Sequence, residues 1–117
     1  MEVEVIDIEG LKKLSGNDLA FVNEILKLYR ERTTKDVEEL RVAMKLEDWN
    51  TIRFVVHRMR SAAVPLGLKN LVIHLKHIEL GIRDNKLQNI GDHLDHVFQI
   101  TETAMQDAKQ KLFLTSV

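Results

Sequence analysis

Residues 48–83 read DWNTIRFVVHRMRSAAVPLGLKNLVIHLKHIELGIR, and their two apolar stripes with a single interruption decide the fold. Asp48 can accept from the free amides of Trp49, Asn50 and Thr51, so a helix is expected from about Asp48 to Val64. Pro65 lacks an amide proton and Gly67 tolerates a left-handed backbone, which makes 64–67 a stop or kink. A second helix is expected from Leu68 to about Arg83, with Leu68, Leu71, Val72, Leu75, Ile78 and Ile82 on one face. Upstream, Asn17-Asp18 caps a stripe of Phe21, Val22, Ile25, Leu28 and Tyr29 that is expected to end near Thr33. Thr33 or Thr34 can then cap a separate helix carrying Val37, Leu40, Ala43 and Met44. Downstream, Asp84-Asn85 reads as a turn, and the longest helix is expected from Leu87 to Phe113 over Ile90, Leu94, Val97, Thr101, Ala104, Ala108 and Leu112. Residues 1–16 form a leading segment in which Val5, Ile8, Leu11 and Leu14 can pack on the body, closed by a turn at Ser15-Gly16. Short connections make sequential helices pack antiparallel. The fold class expected is therefore all-α: an antiparallel up-down four-helix bundle with an additional N-terminal segment or helix.

The chain has 117 residues, enough for one domain over 1–117. With 44% hydrophobic and 30% charged residues it can cover a core with an ionised surface. The net charge of −1 supplies no field to recruit nucleic acid or an anionic membrane. There is no cysteine, which excludes disulfides, thiolate nucleophiles and cysteine-ligated zinc. The start, MEVEVIDIEG, lacks the basic and apolar regions of a signal peptide, and no stretch approaches the ~20 apolar residues of a membrane span. A cytoplasmic location is the expectation.

On a helical wheel the stripe Ile52, Val55, Val56, Met59, Ala62, Ala63 and Leu66 faces the core, and His57 points almost directly away from it. Within roughly 60° of His57 lie Arg53, Phe54, Arg60, Ser61 and Val64. A solvated face usually mixes charges of both signs. This one joins Arg53, Arg58 and Arg60 to two bulky apolar side chains, and Glu79 is the single acid between Thr51 and Asp84. A neutral imidazole attacks phosphorus well, a histidine's ordinary pKa of ~6.5 leaves much of it neutral at cytoplasmic pH, and guanidinium groups suit a dianionic product.

The run VVHRMRSAAVPLGLKNLVIHLKHIELGIR (55–83) resembles the signature of histidine-containing phosphotransfer (HPt) domains: a histidine, a basic residue at +3, a small one at +4 and glycine at +10. Here these are His57, Arg60, Ser61 and Gly67. Residues 14–52, LSGNDLAFVNEILKLYRERTTKDVEELRVAMKLEDWNTI, are similar to the family's two preceding helices and acidic turn, and the likeness covers roughly residues 11–112. The resemblance implies that His57 takes a phosphoryl group on Nε2 from a receiver aspartyl phosphate and passes it to a second receiver aspartate. Arg60 would assist the phosphoryl group or the receiver's acidic pocket, standing where lysine is more usual. Ser61 would let the partner approach, and Glu79, at +22, would meet the other ring nitrogen. On its own helical wheel Glu79 falls inside an apolar stripe, where an acid needs a partner or a route to solvent. Arg83 either adds charge beside the site or complements the helix end. The implied partner surface comprises Arg53, Phe54, Ser61, Val64, Gly67 and Arg83. The implied partners are response-regulator receiver domains, with a hybrid sensor histidine kinase as one source. No cofactor is expected on this chain, the Mg2+ belonging to the receiver, and no autonomous kinase activity is expected.

Two other readings compete. A docking module could keep the receiver-binding face without transferring phosphate. A metal-binding bundle could use His74/His77 and His93/His96, each spaced i,i+3, with Asp92 and Asp95 nearby, although His77 and His96 point away from their stripes and surface histidines are the plainer reading. A self-sufficient enzyme has least support, because no nucleophile–base pair or phosphate loop is present; Trp49, Tyr29 and the four phenylalanines read as packing side chains. Zinc titration with thermal unfolding separates the metal reading: the melting temperature is expected to stay unchanged, whereas a true site raises it.

Overall fold

The computed structural model describes residues 3–115, with side chains as far as Leu112. Its elements are α1 (Ile8–Ser15), α2 (Leu19–Lys45), α3 (Trp49–Ala63), a 3-10 turn (Val64–Leu66), α4 (Lys69–Arg83) and α5 (Ile90–Thr115). No strand occurs among the described residues. Helices α2 to α5 each pack on their chain neighbours and α5 closes back on α2, giving the antiparallel up-down bundle, while α1 lies against α2 and the 3-10 turn. No helix of the described residues is long and apolar enough to cross a membrane.

Local chemistry sets the boundaries. Asp18 and Asp48 cap α2 and α3, their Oδ1 atoms accepting from Phe21 N (3.1 Å) and Thr51 N (3.2 Å). Three helices end alike, with a positive-φ residue (Gly16, Glu47 or Asn85) followed by an amide reaching back five residues: Asn17 N to Lys12 O, Asp48 N to Ala43 O, and Lys86 N to Gly81 O. The same device makes Asp84-Asn85 a turn, as expected.

The expected break at Thr33-Thr34 is absent, and α2 runs unbroken for 27 residues. Thr33 is buried, and the Thr34 hydroxyl donates to Arg30 O at 2.7 Å, so neither threonine caps. A hydroxyl that can bond back to the preceding turn does not compel a helix to end. The last helix starts at Ile90 rather than Leu87, and Phe113, its expected end, has its side chain outside the described atoms.

The core follows the stripes of α3, α4 and α5 closely, with Ile52, Val55, Val56, Leu71, Leu75, Ile78, Val97 and Ala104 buried. It departs at the N-terminal side: Leu11 is buried as expected, but Val5 and Leu14 are exposed and Ile6 is buried instead, while in α2 Phe21 and Leu28 are exposed and Leu26 is fully buried. The leading segment is tied down by polar bonds. Asp7 N donates to Leu66 O at 2.9 Å, Ile6 N to Asp107 Oδ2 at 2.8 Å, and Asp7 Cβ sits where a Cβ on Gly67 would come within 2.9 Å. Helix α4 has Leu68 at its N-cap and so no capping side chain of its own. Glu4 supplies the cap from across the chain, accepting from Asn70 N (2.6 Å) and Leu71 N (2.9 Å), and its charge complements the helix dipole. Replacing Glu4 by alanine is expected to cost about 1 kcal/mol in urea unfolding, as loss of an N-cap does; an unchanged midpoint would show the contact to be incidental.

Candidate functional site

The seam between α3 and α4 holds the site. His57 projects from α3 away from the core stripe, with 58% of its side chain exposed. Glu79 comes from α4 and is only 17% exposed. Its Oε1 lies 2.6 Å from His57 Nδ1 and its Oε2 2.9 Å from Arg60 Nε. Burial works to raise the Glu79 carboxyl, but the hydrogen bonds from Arg60 and then His57 outweigh it, leaving the group below the usual glutamate range. An ionised carboxylate only accepts, so Nδ1 carries the ring proton and donates it to Glu79. The Arg60 NH2 group stands 3.3 Å from the same Nδ1. Both are donors, and their closeness reflects convergence on one carboxylate rather than a bond between them. In the neutral ring this leaves the lone pair on the other nitrogen, Nε2, of an oriented imidazole.

A family model described as "Hpt domain" matches residues 24–111, more than half of the chain. The chain belongs to the Hpt domain family. It is similar to the Sensor protein EvgS of Escherichia coli strain K12 and to its counterpart in E. coli O157:H7, each 36% identical over 67 residues. Each match covers 57% of this chain and 6% of the relative, so the chain spans a small part of those proteins. No solved structure matches. The general role of this Hpt domain is phosphotransfer in a phosphorelay.

The structure brings His57, Arg60 and Glu79 together and distributes the other expected residues around them. Arg53, Phe54 and Val64 are exposed, Phe54 at 64% and Val64 at 57%, and Val64 lines a shallow apolar groove with Gly67, Val72 and Ile73. Of the aromatic side chains expected to pack, Phe21 and Phe54 are thus on the surface, and Phe98 is half-buried beneath the guanidinium of Arg41 at 4.1 Å. Ser61 is exposed, and its hydroxyl donates to His57 O at 3.2 Å, back into its own helix. Gly67 has φ +70° and touches Asp7, which gives it a backbone duty at the turn. Arg83 does not join the triad: it pairs with Asp84 through Nε–Oδ1 at 2.9 Å and Nη2–Oδ2 at 3.2 Å.

One support of the site escaped sequence reasoning. Arg58, next to His57, donates to buried Asp36 through Nε (3.0 Å) and Nη2 (2.5 Å) and to Glu39 through Nη2 (2.9 Å). This forked pair braces α3 against α2. The signal was Asp36, an acid beside the Val37 and Leu40 stripe, and it was masked by expecting a helix start at Thr33 or Thr34.

The four remaining histidines form a ladder between α4 and α5. Because the helices are antiparallel, His74 stacks on His96 (4.6 Å between centroids) and His77 on His93 (4.9 Å), and His74 Nδ1 lies 3.0 Å from His93 Nδ1. They are therefore interlocked, not independently solvated. Among the described residues no group of three or more His, Cys, Asp or Glu is arranged to hold a metal ion. Burial first, then the imidazoles of His77, His74 and His96, hold His93 below the ordinary histidine range against the opposing charge of Asp92. The unfolded chain therefore takes up this proton before the folded one as pH falls. Stability is expected to be level above about pH 6.5 and to decline below it, until the lowered folded value is passed. Urea unfolding at pH 7.5, 6.5 and 5.5 checks this. His93→Asn should flatten the decline, and an equally steep one would place its origin elsewhere.

Proposed function

We propose that His57 is the phosphoryl acceptor and donor of this Hpt domain, relaying between the aspartates of two receiver domains. The observation that carries this reading is an exposed imidazole whose Nδ1 proton is held by the half-buried Glu79 carboxylate at 2.6 Å. The Nε2 lone pair attacks the phosphorus of a receiver aspartyl phosphate. A P–N bond forms, the P–O bond to the aspartate breaks, and the carboxylate leaves with the bonding electrons. The Nδ1 proton stays in place and Glu79 balances the charge of the phosphorylated ring. Reversal onto another aspartate regenerates the neutral histidine.

The receiver seats on exposed Phe54 and Val64, whose apolar surfaces favour association once water is excluded. Exposed Arg53 beside them draws an acidic partner. The Mg2+ that aspartyl phosphate chemistry uses sits on the receiver, and the phosphoryl source is a receiver belonging to a hybrid kinase or a free-standing one, in the cytoplasm. The test is incubation with a receiver charged by acetyl phosphate. Acid-labile phosphate is expected on one histidine of the wild type and to be lost in His57→Gln; equal labelling of that variant would overturn the assignment.

A further inference from the structure

Phe54 stands on the surface, and an aromatic side chain so exposed ordinarily hops between rotamers. Here it has a neighbour that does not turn freely. Arg58 lies one helical turn further along α3, on the same face, and its guanidinium carbon sits over the Phe54 ring at 5.4 Å from the centroid. We propose that Arg58 is a positioning residue for receiver docking: anchored by Asp36 and Glu39 of α2, its guanidinium is a fixed shelf that holds the Phe54 ring in the orientation the receiver meets.

Three contacts fix the shelf. Nε and Nη2 both donate to Asp36 Oδ1, at 3.0 and 2.5 Å, and Nη2 also donates to Glu39 Oε2 at 2.9 Å. Only 8% of the Asp36 side chain is exposed, and a carboxylate so buried cannot release its cation without being left as an uncompensated charge. Arg58 is therefore held from within the fold, although 42% of its own side chain is exposed. A planar guanidinium anchored along its Nε–Nη2 edge keeps its faces open, and a face is what an aromatic ring packs against. At a site open to water that attraction is small by itself. Its use is preorganisation: a ring that already occupies one rotamer has less freedom to lose when a partner covers it, so the gain appears as affinity. A cation turned toward α2 is also withdrawn from any acid the receiver presents, so its effect on docking runs through Phe54.

This inference rests on the receiver seating on Phe54, but its first test needs no receiver. In protein carrying 13C-labelled phenylalanine, the χ1 couplings of Phe54 are expected to report a single rotamer in the wild type. Arg58→Met keeps the apolar stem, and pairing it with Asp36→Asn leaves no buried charge alone; this double variant is expected to average the couplings over several rotamers. Arg58→Lys leaves Asp36 a cation and so protects the fold, but an ammonium has no plane to offer, and partial averaging is expected. Wild-type couplings in either variant overturn the proposal. The second test is single-turnover transfer from a charged receiver, measured across receiver concentrations so that half-saturation and maximal rate are separated. The double variant is expected to raise the half-saturating concentration about two- to fivefold, the worth of an exposed cation–π contact, with the maximal rate kept. In a Phe54→Ala background the same substitutions are expected to leave half-saturation where Phe54→Ala alone puts it. An equal rise in both backgrounds would place Arg58 on the receiver itself and also overturn the proposal. Phe54→Ala that saturates like the wild type, with the rotamer averaging intact, would instead overturn the seating of the receiver on Phe54, a failure that the coupling measurement separates from failure of the shelf.

Discussion

The bond between His57 Nδ1 and the Glu79 carboxylate is the contact to which the rest of the molecule answers. In the proposed relay role the histidine must be reachable by a large partner and yet present one particular nitrogen, and an exposed side chain ordinarily turns freely. Here the ring is exposed, while the group that orients it is not. Glu79 is held by its own helix against the core, so the orientation of an outer side chain is set from within.

That arrangement needs α3 and α4 to be stiff relative to each other and to the bundle. The seam is filled by Val55, Val56 and Met59 on one side and Leu71, Leu75 and Ile78 on the other, all buried. Arg58 ties α3 to the long α2 through buried Asp36. Glu4 and Asp7 strap the start of the chain over the Pro65-Gly67 turn and cap α4. Each of these bonds joins residues far apart in sequence, and together they turn a bundle of amphipathic helices into a mount for one carboxylate.

The charge on the surface around His57 is accordingly more selective than the number of arginines suggests. Arg58 is paired with Asp36 and Glu39 and Arg60 with Glu79, so two of the three cations on that helix already have carboxylate partners within the fold. Arg53 remains at the surface beside Phe54 and Val64. Under the proposed relay role, a partner is recognised by an apolar patch edged by positive charge, while the imidazole keeps its immediate ionic surroundings balanced by Glu79.

The sequence by itself determined the helical class, the stripes of α3, α4 and α5, the outward direction of His57 and the position of Glu79 within an apolar stripe. Those properties follow from a period of 3.6 residues and from local capping, which act within a few residues of each other. Tertiary structure decided the rest. It alone ran α2 through Thr33, because burying that residue outweighed its capping preference. It alone turned Arg58 to Asp36, Arg60 to Glu79 and Arg83 to Asp84, and it alone stacked four histidines that look independent along the chain. A flexible charged side chain has several partners within reach, and the choice is made by which opposite charge the packed helices bring beside it.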